Sequence, residues 1–133
     1  MTVPVDDRKN AVRERLRAGR RARSEEDRAE VGRLLAVRVG AVPGVAELVD
    51  DPASGCVTAY ASFGTEPRTG ALRELLAVSG VRVLLPVIRE DGLLDWADDA
   101  GSFTQDGVSK GIPEPTGEAV GTGMAGLVAA GCR

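Results

Sequence analysis

"CVTAYASFGTEPRTGALRELLAVSGVRVLLPVI", residues 56–88, decides the fold. It opens and closes on apolar runs, "CVTAYAS" at 56–62 and "VRVLLPVI" at 81–88, with Val, Thr, Tyr and Ile at strand-favouring positions. Both runs are nearly continuous rather than alternating, as strands of a parallel sheet covered on both faces require. Between them Ala71, Leu72, Leu75 and Leu76 fall on one helical face, and Pro67 is preorganised for a first helical turn. A helix starting after Pro67 therefore joins two strands as a βαβ unit. The predicted class is α/β, a Rossmann-like three-layer sheet with helices on both faces.

Upstream, residues 6–22 predict an Arg- and Ala-rich helix with Val12 and Leu16 as a thin apolar stripe, weakened at its end by Gly19. Ser24 followed by Asp27 starts a second helix on a capping-box-like pair; its apolar positions Val31, Leu34, Leu35, Val39 and Val42 recur until "PG" at 43–44. "DDPASG" at 50–55 is a turn. Downstream, "LLDWAD" at 93–98 predicts a further strand after the "EDG" turn. "KGIPEPTG" at 110–117 is excluded from helix by two prolines and is expected to be an ordered loop. The last stretch, "VGTGMAGLVAAGCR" at 120–133, has no clear period and no charge before Arg133. It predicts neither a finished helix nor a finished strand, and residues 119–133 are expected to leave the sheet uncompleted and to pack poorly. The expected division is a partial α/β domain over 1–118 and an atypical Gly-rich tail over 119–133.

Composition narrows the function. A chain of 133 residues with 43% apolar and 28% charged residues suits one globular domain. No apolar run approaches the roughly 20 residues of a spanning helix, and "MTVPVDDRKN" lacks the pattern of a secretory leader, so a cytoplasmic location away from membranes is expected. With no His, and two cysteines far apart without CxxC spacing, a zinc site and a His-based triad are excluded. The net charge of −3 conceals an asymmetry: "RKNAVRERLRAGRRAR", 8–23, carries eight basic residues and one acid, a balance of +7 that leaves −10 elsewhere. A basic segment on an acidic body points to an anionic ligand or nucleic acid. Aromatic residues at 3% leave few stacking platforms and argue against nucleic acid.

Lys9 and Arg13, one turn apart, share a helix face and suit a polyphosphate; a solvated basic face is the alternative. Glu66 is either an acid at a helix start or, at the carboxyl end of a strand where open α/β sheets bind ligands, a ligand contact. "KGIPEP" suits a rigid connector and Trp96 suits core or rim packing.

The order of these pieces carries more than any one of them. A Lys-x-x-x-Arg start on an Arg-rich helix, "YASFGTEPRT" after the first strand, "LLPVI", "LLDW" and "GIPEP" together resemble the 5-formyltetrahydrofolate cyclo-ligase family, from about Lys9 to Pro115. The resemblance implies an ATP- and Mg²⁺-dependent ligase of one-carbon metabolism that converts 5-formyltetrahydrofolate to 5,10-methenyltetrahydrofolate. It implies ATP phosphates at Lys9, Asn10, Ala11, Val12 and Arg13, and folate contacts at Ala61 and Glu66; it assigns neither a catalytic residue nor a metal ligand here. After Pro115 the family's acid-led strand and its Arg-Gly-x-Gly-Tyr-Tyr-Asp-like phosphate loop are not found, so the fold is expected to be truncated at its C-terminus and turnover weak or absent. A non-catalytic remnant or folate-binding module, and a small basic-arm domain that binds nucleic acid or a protein partner, are the competing readings.

Overall fold

The computed structural model describes residues 4–132. Its first helix, α1 (Val5–Arg21), has Asp6 and Asp7 in its first turn and Arg20 and Arg21 in its last, the charge order that suits a helix dipole. No residue of α1 is buried, and Val12 and Leu16 remain 44% and 59% exposed, so the predicted apolar stripe packs on nothing substantial. The second helix, α2 (Glu25–Gly40), begins as its sequence dictates: Ser24 Oγ accepts the Asp27 N–H at 3.1 Å. Beyond it "PG" does not lead into a loop. Pro43 occupies the first turn of a further helix, α3 (Pro43–Asp50), where its missing N–H costs nothing.

A short 3-10 turn, Pro52–Ser54, leads into strand β1 (Cys56–Thr58). Helix α4 (Gly70–Val78) then crosses to β2 (Arg82–Ile88), which pairs parallel with β1 through Cys56–Arg82, Val57–Val83 and Thr58–Leu84. The βαβ unit is present, with two corrections. The first strand stops at Thr58 rather than running to Ser62, and α4 starts at Gly70, three residues beyond Pro67. Both differences have one cause: Thr69 Oγ1 donates to the Tyr60 carbonyl at 2.7 Å and accepts the Ser62 N–H at 3.1 Å, so side-chain bonds replace the ladder and hold 60–69 as a closed loop.

After β2 the sheet turns antiparallel. Strand β3 (Leu94–Asp98) pairs with β2, and β6 (Gly121–Thr122) pairs with β3, giving a mixed sheet of order β1-β2-β3-β6. A separate two-stranded ribbon joins β4 (Phe103–Thr104) and β5 (Glu114–Pro115), and it is there that "GIPEP" lies. One sheet face carries Val83 and Leu85, packed with Leu76 and Val81 and covered by Val45, Leu48 and Leu72 of α3 and α4. Leu76, Leu84 and Leu85 are at most 1% exposed, and burial of each contributes about 1.5–3 kcal/mol.

The C-terminal stretch differs from expectation. It supplies β6 and a helix, α5 (Gly123–Ala129), that packs on β3 and β6. The glycines that hide any period are the packing surface itself. A Cβ on Gly121 would stand 2.5 Å from the Gly126 Cα, so strand and helix touch backbone to backbone. Cys56 points away from the Val57 face and is joined in a disulfide to Cys132 just beyond α5. Helix α5 therefore covers the second face, completing three layers.

Candidate functional site

The segment "SFGTEP" leaves the carboxyl end of β1 and turns sharply at Gly64, whose φ of +57° a side chain would resist. Glu66 N–H donates to the Phe63 carbonyl at 3.2 Å, and Glu66 Oε2 accepts the Phe63 N–H at 3.2 Å. The turn thus fixes its own acid in place. Glu66 is half-buried, and its second oxygen, Oε1, has no hydrogen-bond partner among the described residues. Arg68 ties the loop to α2 by donating to both oxygens of Glu25 at 2.7 and 2.9 Å, and closes the turn by donating to the Gly64 carbonyl at 3.0 Å. Arg68, with Arg28 second, holds the Glu25 carboxyl below its ordinary range.

Glu66 borders a cavity of about 230 Å³ lined by Arg20, Arg23 and Arg28 together with Val31, Thr65 and Pro67. Arg28 forms the inner wall, with its side chain 13% exposed, donating to Glu25 at 3.0 Å and to the Arg20 carbonyl at 2.9 Å. That last bond fixes the end of α1 against α2.

The other expected positions fall as follows. Ala61 lies half-buried in the connection three residues past β1, not on the strand. Lys9, Asn10, Ala11, Val12 and Arg13 are all exposed on α1, with Arg13 Nη1 donating to Asn10 Oδ1 at 3.4 Å. None of these five lines the Glu66 cavity; Arg13 instead borders a neighbouring concavity of about 420 Å³ with Leu16, Arg17 and Arg20. Arg20 is the residue the two share. Sequence reading noted the basic segment but not Arg20, Arg23 and Arg28 as a cluster; the recurrence of Arg13, Arg17 and Arg20 on one helical face is the signal available for it.

A larger, mainly apolar concavity of about 590 Å³ lies at the free edge of β1, between Val45 and Leu48 on one side and Leu127 and Val128 on the other, away from Glu66. Among the described residues no three Asp, Glu or Cys side chains gather into a metal-holding group. A Mg²⁺ held largely by substrate phosphates needs only one or two carboxylates, so this bears only on a cage made by the protein alone. Nor is any helix among the described residues long and apolar enough to cross a membrane.

A model of the 5-formyltetrahydrofolate cyclo-ligase family matches residues 5–126. Among solved structures, a 5,10-methenyltetrahydrofolate synthetase from Mycoplasma pneumoniae is similar, with a TM-score of 0.52 and 21% identity over 68% of this chain and 53% of that one. At that identity the likeness establishes the fold. The match spans about half the length of the solved relative. No protein in the curated set matches.

Proposed function

The chain belongs to the 5-formyltetrahydrofolate cyclo-ligase family, and from that membership we propose that it acts in one-carbon folate metabolism on 5-formyltetrahydrofolate and ATP. The reaction is ATP-dependent closure to 5,10-methenyltetrahydrofolate. The formyl oxygen takes the terminal phosphoryl group as ADP leaves; the neighbouring amine nitrogen of the folate attacks the activated carbon, and phosphate departs with the formyl oxygen. Such chemistry asks the protein mainly to position reactants and to offset developing negative charge.

The observation that carries this reading is Glu66: half-buried, held by its own turn at the carboxyl end of β1, with Oε1 unpaired beside a guanidinium-lined cavity. A carboxylate so fixed accepts hydrogen bonds from the amino and ring N–H donors of a pterin, with Ala61 alongside in the same connection. Lys9 and Arg13, with Asn10, Ala11 and Val12 between them, face the nucleotide phosphates from α1. We place the reaction in the cytoplasm, where the Cys56–Cys132 pair would stand as two thiols.

The family's glycine-rich phosphate loop has no counterpart after Pro115, and backbone donors aimed at a transferring group are a dominant catalytic contribution. We therefore expect this 133-residue chain to bind folate better than it turns it over. One observation favours a second reading: α1 buries none of its residues, as in a basic arm that awaits a nucleic-acid or protein partner.

The test is production of methenyltetrahydrofolate, followed by its absorbance with ATP present, beside calorimetric titration of 5-formyltetrahydrofolate. Glu66→Gln is expected to weaken folate binding by roughly 1.5–3 kcal/mol, the worth of a charge-assisted hydrogen bond. Equal affinity in both proteins removes Glu66 from the site, and salt-sensitive binding to generic DNA without folate binding favours the basic arm.

A further inference from the structure

We propose that Arg20, Arg23 and Arg28 form a phosphoryl-oxyanion subsite facing Glu66, distinct from the Lys9–Arg13 grip. Three guanidinium groups line a cavity whose only carboxylate is Glu66. The local acids do not cancel them. Arg23 reaches Asp27 only at 3.5 Å, Arg28 shares Glu25 with Arg68, and Arg20 forms no ion pair among the described residues. Arg28 adds an observation of its own. Its side chain is 13% exposed and is fixed by Nη1 to Glu25 and by Nη2 to the Arg20 carbonyl, while Nε is buried without a hydrogen-bond partner among the described residues.

Size and position choose the ligand. At about 230 Å³ the cavity falls below the roughly 300–1,000 Å³ of a site that encloses a whole small molecule, so it takes one group of a larger ligand. Arg20 also borders the neighbouring concavity with Arg13 and Arg17. Arg13 and Arg20 are separated by seven residues, about 10 Å of helix rise, so one face of α1 leads from the proposed nucleotide grip to the cavity. A phosphate chain entering along that face ends at Arg20, beside the acid proposed to hold the pterin. A planar guanidinium suits such a terminal oxyanion by donating two parallel N–H bonds.

The inference rests on the proposed function only for the identity of the neighbouring ligand; the oxyanion subsite stands on the three arginines. Its test is calorimetric titration of ATP, ADP and inorganic phosphate into the full chain and into Arg20→Gln/Arg23→Gln, two exposed positions whose replacement leaves the core untouched. The charge-matched control is Arg15→Gln/Arg21→Gln, on the same helix but outside the cavity. ATP affinity is expected to fall about tenfold to hundredfold in the first variant and to stay within a few-fold in the control. A loss for ATP but not ADP assigns the subsite to the terminal phosphoryl group, and a loss for inorganic phosphate assigns it to the released product; either supports the subsite. Arg28→Lys, which keeps charge but not the planar fork, is expected to weaken the same ligands. Equal losses in variant and control, unchanged affinity in the variant, or no binding of any of the three ligands overturns the inference. Glu66→Gln titrated with 5-formyltetrahydrofolate separates the two ideas: folate weakened there with ATP unchanged in the arginine variant leaves the folate reading standing and the subsite refuted, and the converse leaves only the subsite.

Discussion

Arg73 and Asp99 meet in a two-bonded fork, Nε to Oδ2 at 2.7 Å and Nη2 to Oδ1 at 2.9 Å, with the two side chains 15% and 9% exposed. The pair binds α4 to the residue just past β3, and the Arg73 guanidinium lies over the Phe103 ring at 4.8 Å. Arg73, opposed by burial and aided by the Gly101 N–H, holds the Asp99 carboxyl below its ordinary range.

A depressed folded-state value has a definite sign. Asp99 contributes stability in full above its unfolded value, near 3.9, and loses it as pH falls through its lower folded value. Asp99→Asn, which leaves the largely buried Arg73 guanidinium without its counter-charge, is expected to cost about 3 kcal/mol at neutral pH and to flatten the acid limb of the stability curve. Urea midpoints measured from pH 7 to pH 3 check both; an unchanged midpoint at pH 7 would show the pair contributes nothing net.

Gly126→Ala places a methyl group 2.5 Å from the Gly121 carbonyl carbon, and neither backbone has room to give. We expect a loss of about 1–3 kcal/mol, read by denaturant titration, with Gly117→Ala as the near-neutral control because nothing lies within 4 Å of its Cβ position. Equal stability of the two variants would mean that α5 and β6 do not touch as described.

Glu114 is 2% exposed, and its Oε2 accepts the Ile88 N–H at 2.6 Å, where β2 leaves its ladder. Glu114→Ala strands that N–H and is expected to cost about 1–3 kcal/mol. Glu114→Gln keeps an acceptor oxygen and is expected to lose less. Thermal melts of the two variants rank them, and equal losses would place the carboxylate's importance in the charge that both replacements remove.

The Cys56–Cys132 bond spans a separation of 76 residues, so its reduction frees a long loop in the unfolded chain. The chain-entropy account gives about 4 kcal/mol for a closure of that length. Urea midpoints with and without dithiothreitol measure it, and Cys56→Ser/Cys132→Ser is expected to match the reduced protein.

The βαβ unit was legible because continuous apolar runs and a helical stripe leave one arrangement that buries all three. Pairing direction was not: "LLDWAD" looks the same whether it joins β2 parallel or antiparallel, and the short "EDG" turn favours the antiparallel course seen. Helix α3 escaped because proline and glycine mark stops and starts alike. Helix α5 escaped because its contact with β6 is made by absent side chains, which carry no periodic signal. At the candidate site the position of Glu66 past a strand end could be anticipated; its fixation by Phe63 and the approach of Arg20, Arg23 and Arg28 depend on how α1 and α2 fold over the loop, a tertiary matter.

The disulfide also divides the molecule topologically. Residues 56–132 form a covalent ring, and everything before Cys56 is a linear tail that contains α1, α2 and α3. Glu66 belongs to the ring; Lys9, Arg13, Arg20, Arg23 and Arg28 belong to the tail. The two halves of the proposed site are therefore neighbours only by docking, and the Arg68–Glu25 clamp is one of the joints between them. Under non-reducing denaturation the tail is free to peel from a ring that keeps much of its sheet, so the site comes apart at a seam before the scaffold that carries Glu66 has melted.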